Sequence, residues 1–274
     1  MPIPSAIVSG YLQLADAVFS RLTQLVPSDE KLRRCKIISH RGEHDNLVIK
    51  ENTLAAFEHA AEVGVWGIEL DVRWTRDLVP VVFHDEDLLR LYRCRLKIKD
   101  VSFADLKKHY PDIPALSEVI QRFGKKVHLM IEVKRQRLSD PSKQLTHLNE
   151  ILSPLEPSLD YHLLTLYPEM LALFQDFPLA ALVAIADRWP RRLSRWIRQR
   201  RWGGLCGHFL LVHNGLLWIH HQHAQKVGTG FVKSRNCLYR EINRGVDWVF
   251  SNDAVHLQGL LNTRLATSGK GSNY

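Results

Sequence analysis

The sequence has few cysteines, and they lie far apart. Its 274 residues contain four cysteines, at positions 35, 94, 206 and 237. Small disulfide-framed proteins are much shorter and richer in cysteine, and structural zinc sites usually place two cysteines only a few residues apart. The sequence therefore predicts reduced cysteines, with neither a disulfide framework nor a zinc site.

Long apolar runs and a leader pattern are absent as well. No stretch approaches the ~20 consecutive apolar residues that a membrane-spanning helix needs. No basic residue precedes Arg21, so the N-terminus does not have the pattern of a secretory signal peptide. A cytoplasmic location is the expectation that follows.

No linker rich in proline, glycine or serine divides the chain. Its composition, 45% hydrophobic and 24% charged residues, is ordinary for a globular protein and excludes disordered and collagen-like classes. A length of 274 residues is close to the ~250 residues of a single (β/α)₈ barrel. One main domain is predicted.

Positive charge is concentrated in one segment, Arg188 to Trp202. The net charge is +8, and this segment holds seven arginines and three tryptophans without an acidic residue. One interpretation is an ordinary barrel helix that begins at Pro190. A second is an interfacial anchor on an anionic membrane, which would make the protein peripheral on the inner membrane face. Nucleic acid binding is not expected.

Strand-like and helix-like runs alternate along most of the chain. This alternation is typical of a parallel α/β fold, and eight units predict a closed TIM barrel over about 35–274. The run 80–83 follows too soon for a parallel crossover, so it is predicted to return as an antiparallel hairpin, followed by a small insertion at about 86–112. The eight parallel strands are predicted at 36–39, 68–72, 127–133, 162–166, 180–185, 209–212, 227–232 and 247–250.

A separate amphipathic helix is predicted ahead of the barrel, within a segment 1–34. Apolar residues between positions 5 and 26 recur at helical spacing. Two interpretations stay open for this helix. It either packs across the bottom of the barrel or lies in the plane of a membrane surface.

Three carboxylates are predicted to meet inside the barrel. Glu69 and Asp71 lie two residues apart on one strand and therefore share a face, and the same holds for Glu132 and Lys134 on another. An all-oxygen set without cysteine suits a hard divalent cation, Mg²⁺ or Ca²⁺. The alternative is an internal salt bridge between the Glu69/Asp71 pair and Arg41 or Lys134.

Two histidines and two cations accompany these carboxylates. His40 and His84 each follow a strand, where a TIM barrel places its catalytic residues, and histidine titrates near neutrality as a general acid or base must. Arg41 and Lys134 offer positive charge to a phosphate oxyanion. Together these residues predict metal-assisted cleavage of a phosphodiester.

The same residues resemble a known family. The motifs His40-Arg41-Gly42, Glu51-Asn52-Thr53, Glu69-x-Asp71, Pro80-Val81-Val82-Phe83-His84-Asp85, Arg90 and Ile131-Glu132-Val133-Lys134 are similar, in order and spacing, to those of glycerophosphodiester phosphodiesterases. The resemblance implies a TIM barrel that hydrolyses glycerophosphodiesters to an alcohol and sn-glycerol 3-phosphate with a divalent cation. It implies His40 and His84 as the acid/base pair, Glu69, Asp71 and Glu132 as metal ligands, Arg41 and Lys134 as phosphate-binding residues, and Glu51 and Asn52 as supporting residues.

Three segments depart from the family pattern: Thr165-Leu166, Gly230 to Lys233, and Ser251-Asn252. The resemblance places them on the leaving-group side, so the alcohol part of the substrate stays open. A lysophospholipase D-like or phospholipase C-like hydrolase acting on membrane lipids is one alternative. A non-catalytic barrel that binds phosphate or lipid is another. The sequence also leaves open whether water or the substrate's own hydroxyl attacks the phosphorus.

Overall fold

The computed structural model describes residues 17–136, 140–187 and 189–268, and within them the chain forms a closed barrel. Eight parallel strands follow one another around it, and direct pairing of β1 with β2 closes the ring. The predicted hairpin is present, because β3 pairs antiparallel with β2. The (β/α)₈ prediction is confirmed. The strands are β1 (Ile37–His40), β2 (Gly67–Trp74), β3 (Pro80–Val82), β4 (His128–Val133), β5 (Tyr161–Thr165), β6 (Leu182–Ala186), β7 (Gly204–His208), β8 (Lys226–Gly230) and β9 (Trp248–Ser251).

Helices cover the outer face of the strands. Several begin at residues suited to cap them. Thr53, for example, accepts a hydrogen bond from the amide of Ala56, and Pro190 occupies the first turn of its helix. The helices are α1 (Asp29–Arg34), α2 (Leu54–Glu62), α3 (Leu89–Tyr92), α4 (Phe103–His109), α5 (Leu116–Phe123), α6 (Pro141–Leu152), α7 (Pro168–Leu171), α8 (Pro190–Arg200), α9 (Asn214–His221), α10 (Arg235–Arg244) and α11 (Ala254–Ser268).

The predicted strand at 209–212 is wrong. The sixth parallel strand is Gly204–His208, and the apolar run that follows it is a turn whose Phe209 and Val212 are buried outside the sheet. A Cβ on Gly204 would lie 2.5 Å from the carbonyl oxygen of Lys226, so this strand needs glycine where it meets β8. The sequence pattern was misleading because paired glycines commonly end a helix.

The interior of the barrel is layered by strand alternation. Residues such as Ile38, Met130, Leu164 and Val183 form a buried inner cluster at mid-height. The residues two positions further along their strands point to the same side and therefore lie at the C-terminal mouth. This is how alternation brings His40 and Glu132 to one end of the barrel.

A compact insertion follows the hairpin, as predicted. It contains α3, a short 3₁₀ turn (Ile98–Asp100) and α4. Leu88, Ile98 and Leu106 are buried in a small core of their own together with Phe83 from the hairpin end. The insertion is therefore packed firmly enough to hold side chains against the mouth.

Most of the predicted N-terminal amphipathic helix lies outside the described residues, which begin at position 17. Residues 17–21 are helical, and the described part of the segment lies against α10. Phe19 packs edge-on against Phe209, and the side chains of Asn236 and Asn243 on α10 donate hydrogen bonds to the carbonyls of Ser20 and Leu25. Among the described residues, no helix combines the length and apolar character needed to cross a bilayer.

Candidate active site

Every predicted site residue lies at the C-terminal mouth of the barrel. β1 ends at His40, β2 carries Glu69 and Asp71, and β4 carries Glu132 just ahead of Lys134. A cavity of about 530 Å³ opens there, and its lining includes both predicted acid/base histidines. Six ionisable residues that the sequence predicted for the site line this cavity: His40, Arg41, Glu69, His84, Glu132 and Lys134.

The three carboxylates form one buried cluster. One oxygen from each of Glu69, Asp71 and Glu132 lies within 4.8 Å of the others. Lys134 Nζ bridges two of them, at 2.8 Å from Asp71 Oδ1 and 2.8 Å from Glu132 Oε1. Arg41 Nε lies 3.1 Å from Asp71 Oδ2. Burial alone would raise the pKa of Asp71, but the charges of Lys134 and Arg41 hold it below its usual range.

Glu69 differs from its two neighbours because neither of its carboxylate oxygens has a hydrogen-bond partner, although the side chain is only 3% exposed. Burial, together with the charges of Asp71 and Glu132, raises the pKa of Glu69 well above its usual value. A buried, unpaired carboxylate among two others is costly without a compensating cation. Oxygen-only donors fit Mg²⁺ or Ca²⁺, so the residues present suit the divalent ion that the sequence predicted. The salt-bridge alternative accounts for Asp71 and Glu132 but leaves Glu69 without a partner.

Tight backbone geometry directs Arg41 and Asn52 at Asp71. Both residues adopt positive φ angles, 63° and 61°. Gly42, at φ 77°, lies against α2, and a Cβ there would be 2.7 Å from the carbonyl carbon of Ala56. Asn52 Nδ2 donates to Asp71 Oδ2 at 2.8 Å, and its Oδ1 accepts from the Asp71 amide. The loop thus fixes the orientation of the Asp71 carboxylate.

Glu51 joins this loop to the insertion. Its carboxylate accepts hydrogen bonds from Arg41, at 3.0 Å, and from two nitrogens of Arg90, at 2.5 and 3.0 Å. Burial would raise the pKa of Glu51, but the bonds from Arg90 and the charge of Arg41 lower it to about 2. Arg90 also donates to Asp85 Oδ2 at 2.6 Å. Glu51 therefore supports the site at one remove from the carboxylate cluster.

The two histidines have different partners, but each ring donates its Nδ1 proton to its partner. His40 Nδ1 donates to Asn252 Oδ1 at 2.5 Å, which leaves Nε2 as an acceptor 3.7 Å from a Glu69 oxygen. Burial and the charge of Arg41 lower the pKa of His40 to about 4. His84 Nδ1 donates to Asp85 Oδ1 at 2.6 Å. Burial would raise the pKa of Asp85, but its bonds from His84 and Arg90 lower it to about 2, so a carboxylate always faces His84.

Sequence analysis missed the role of Asn252 and the nature of the far wall. Asn252 lines the cavity and also accepts a hydrogen bond from His40, and only the closure of β9 onto β1 brings these two residues together. Of the pair Thr165-Leu166, Thr165 is buried and Leu166 lines the cavity. The wall opposite the carboxylates is largely apolar. Its residues include Leu164, Leu166, Ile185, Leu210, Leu211, Phe231 and Phe250.

The arginine–tryptophan segment, described from position 189, contains a regular barrel helix. Its apolar side is buried through Leu193 and Ile197 of α8, and Trp202 is also buried. Trp196 lies between two guanidinium groups, with Arg200 Cζ 5.0 Å and Arg192 Cζ 5.8 Å from its ring. Trp189 alone of the three tryptophans is largely exposed, at 78%, and it precedes α8 at the mouth end of the barrel.

Fold and site together define a (β/α)₈ barrel with a buried carboxylate cluster flanked by two histidines. The model of the glycerophosphoryl diester phosphodiesterase family matches residues 40–190, more than half of the chain. The chain belongs to this family. That match includes every site residue predicted from the sequence.

Individual relatives are similar over shorter stretches. A glycerophosphodiester phosphodiesterase of Bacillus altitudinis is 37% identical over 110 residues, which are 36% of this chain and 44% of that protein. A lysophospholipase D of Homo sapiens is 37% identical over 100 residues, 36% of this chain and 31% of that protein. The chain thus matches less than half the length of these curated relatives.

Solved structures share the fold. An Oleispira antarctica phosphodiesterase, solved in complex with the product sn-glycerol-3-phosphate, superimposes with a TM-score of 0.71 at 23% identity. The superposition covers 83% of this chain and 96% of that one. At this identity the likeness shows a shared fold and no more.

Proposed function

We propose that the protein is a metal-dependent phosphoric diester hydrolase that cleaves glycerophosphodiesters to an alcohol and sn-glycerol 3-phosphate. The observation that carries this proposal is the buried, unpaired carboxylate of Glu69, which lies beside Asp71 and Glu132 in the cavity that also contains His40 and His84. The Bacillus altitudinis relative and the product complex of the Oleispira antarctica enzyme support the same substrate class.

Glu69, Asp71 and Glu132 would hold the divalent cation, Mg²⁺ or Ca²⁺. When bound, such an ion neutralises negative charge on the phosphoryl oxygens. Arg41 and Lys134 contribute further fixed positive charge, and burial makes that charge more effective than it would be in water. Glu51 and Asn52 keep Arg41 and Asp71 in position through the bonds described above.

The two histidines divide the proton transfers between them. His40, with its Nδ1 proton held by Asn252 and its pKa lowered, is neutral at pH 7 and accepts a proton at Nε2 from the attacking hydroxyl. That hydroxyl belongs either to water or to the glycerol part of the substrate. His84, whose ring is oriented by the hydrogen bond from Nδ1 to Asp85, donates a proton to the departing alkoxide. The P–O bond to the alcohol breaks, and net addition of water gives a monoester and an alcohol.

Product identity tests this proposal. With glycerophosphocholine as substrate, ³¹P NMR is expected to show sn-glycerol 3-phosphate, with choline released in equal amount. Phosphocholine and glycerol would instead identify phospholipase C-like cleavage. His40→Asn is expected to abolish turnover while it retains metal binding. An unchanged rate in that variant would contradict the assignment, and turnover absent from the wild type would favour the non-catalytic barrel.

Two finer features belong to the same proposal. The protein would act in the cytoplasm and associate peripherally with the inner membrane face through exposed Trp189 and the exposed arginines 191, 192 and 195 of α8. Its substrates would include lysophospholipids, which the name of the human relative supports. Cosedimentation with vesicles containing anionic lipid tests the membrane contact. Binding that persists unchanged in Trp189→Asn would exclude this surface.

A further inference from the structure

A second depression adjoins the catalytic cavity on its apolar side. This neighbouring groove, about 270 Å³ in volume, shares Leu166, Ile185 and Asp187 with the lining of the 530 Å³ cavity. The shared residues all lie at or just beyond the C-terminal ends of β5 and β6. The groove therefore leads outward from the mouth of the barrel, between those two strands and the start of α8.

The outer part of the groove is built mainly from apolar side chains. It is lined by Pro168 of α7 and by Trp189, Leu193 and Trp196, with Arg192 as its charged residue. Trp189 is held at φ 51°, and the residue is 78% exposed. An exposed tryptophan beside a groove that adjoins the catalytic cavity is a surface that an apolar ligand would cover.

A polar alcohol such as choline or glycerol gains little from this surface, since such groups hydrogen-bond with water more favourably than with leucine, isoleucine or proline. An aliphatic chain gains affinity with each methylene that it buries, up to about fourfold per group. The groove adjoins the catalytic cavity and shares three lining residues with it, so a chain lying in the groove can be attached to a phosphodiester at the carboxylate cluster.

We infer that the groove bounded by Leu166, Pro168, Ile185, Trp189 and Trp196 binds the aliphatic chain of a phosphodiester that carries one acyl or alkyl group. This inference rests on the proposed function for its reaction and adds the subsite that selects the substrate. The chain can be attached on either side of the phosphate, to glycerol or to the departing alcohol. The two attachments are separate arms of the test.

A binding experiment tests the subsite without turnover. Dodecylphosphocholine and hexylphosphocholine, single-chain phosphodiesters without glycerol, are titrated into the full-length wild-type protein below their micelle concentrations and followed by calorimetry. The longer chain is expected to bind at least tenfold more tightly. Trp189→Asn is expected to weaken dodecylphosphocholine about fivefold or more, whereas hexylphosphocholine changes less.

The matched control is Trp218→Asn. Trp218 is also a largely exposed tryptophan, at 65%, but it lies on α9 and is not part of the groove. This variant is expected to bind dodecylphosphocholine as the wild type does. Leu166→Asn provides a second substitution, in the segment that the groove and the catalytic cavity share, and it is expected to reduce the preference for the longer chain.

Turnover then distinguishes the two attachments. Lysophosphatidylcholine carries its chain on glycerol, and glycerophospho-N-acylethanolamine carries it on the departing alcohol. One of them is expected to exceed glycerophosphocholine in kcat/KM, and Trp189→Asn is expected to reduce that advantage through KM. Equal binding of the two phosphocholines, or equal effects of Trp189→Asn and Trp218→Asn, would overturn the subsite. Chain-dependent binding without turnover of any diester would leave the subsite intact and contradict the proposed function.

Discussion

Replacing Glu69 by glutamine tests the cation site without altering its shape. The three clustered carboxylates face two cations, Arg41 and Lys134, so one negative charge is left over. At an effective dielectric constant of ~20, two charged carboxylate oxygens at 4.8 Å, the largest separation within the cluster, repel one another by about 3.5 kcal/mol. Without a metal ion, burial and this repulsion raise the pKa of Glu69 and so favour its protonated form.

A protonated carboxyl and an amide are similar in size and both neutral. Metal-free wild type and Glu69→Gln are therefore expected to unfold with nearly equal free energies at mildly acidic pH. The pKa of Glu69 is higher in the folded protein than the value of about 4.3 expected in the unfolded chain. Protonated Glu69 therefore contributes its full stability below pH ~4.3, and this contribution is lost as the pH rises through the folded-state pKa. The variant should consequently become more stable than metal-free wild type as the pH increases.

Added metal is expected to separate the two proteins. At about 100 times its Kd, a ligand that binds only the folded state stabilises it by about 2.7 kcal/mol, which raises the Tm of a chain this long by roughly 5–10 °C. Wild type should show this shift with Mg²⁺ or Ca²⁺, increasingly so at higher pH because binding displaces a proton. Glu69→Gln should lose most of it and, with it, most of the activity. Differential scanning calorimetry with and without EDTA measures all four states.

Glu241→Gln is the control for this experiment. Glu241 is also fully buried, but its carboxylate pairs with Arg240 and Arg244 on α10. Its replacement weakens a buried ion pair, so it is expected to lower the Tm of the metal-free protein and leave the metal-induced shift unchanged. A full metal-induced shift in Glu69→Gln, or its loss in Glu241→Gln, would refute the proposed site.

Three further predictions concern other parts of the structure. Asp85→Asn removes the carboxylate beside His84 Nδ1 and is expected to lower kcat about 10- to 100-fold, with a smaller change in KM. An unchanged kcat would contradict the role of Asp85 in holding His84. Burial lowers the pKa of His162 to about 3, so this side chain is neutral in the folded protein but protonated in the unfolded chain below pH ~6.5. As the pH drops from 6.5 towards 4, the free energy of unfolding should therefore fall, by up to about 1.4 kcal/mol per pH unit for this group. Urea titrations should show a shallower fall in His162→Asn. In Gly245→Ala the new methyl group meets open space, so only the φ of 83° is unfavourable, and the free energy of unfolding should fall by about 1–2 kcal/mol. In Gly42→Ala the methyl group also collides with α2, so the loss of stability should be larger. Equal denaturation midpoints of the two variants would contradict the close approach of Gly42 to α2.

The acidic cluster could be predicted from sequence because it depends on local rules. Strand alternation alone places Glu69 with Asp71 and Glu132 with Lys134 on one face, and the run of strands and helices predicts the barrel that joins those faces. The ion pairs of Lys134 with both neighbouring carboxylates follow from the same parity.

What the sequence did not show depends on long-range closure. Asn252 reaches His40 only because β9 and β1 are neighbours in the closed sheet. Arg90 meets Glu51 because the insertion folds back over the first loop, a contact that no periodicity encodes. The strand Gly204–His208 has little apolar character, since neighbouring backbone leaves no space for a larger residue at Gly204. Sequence patterns therefore favoured the apolar turn that follows it.

The most direct test of the account is choline release from glycerophosphocholine by the full-length protein, with Mg²⁺, with Ca²⁺ and with EDTA. The account predicts turnover with at least one of the two ions, its loss in EDTA, its recovery when the ion is restored, and sn-glycerol 3-phosphate as the phosphorylated product. Turnover that EDTA leaves unchanged, or a folded sample that releases no choline with either ion, would contradict it.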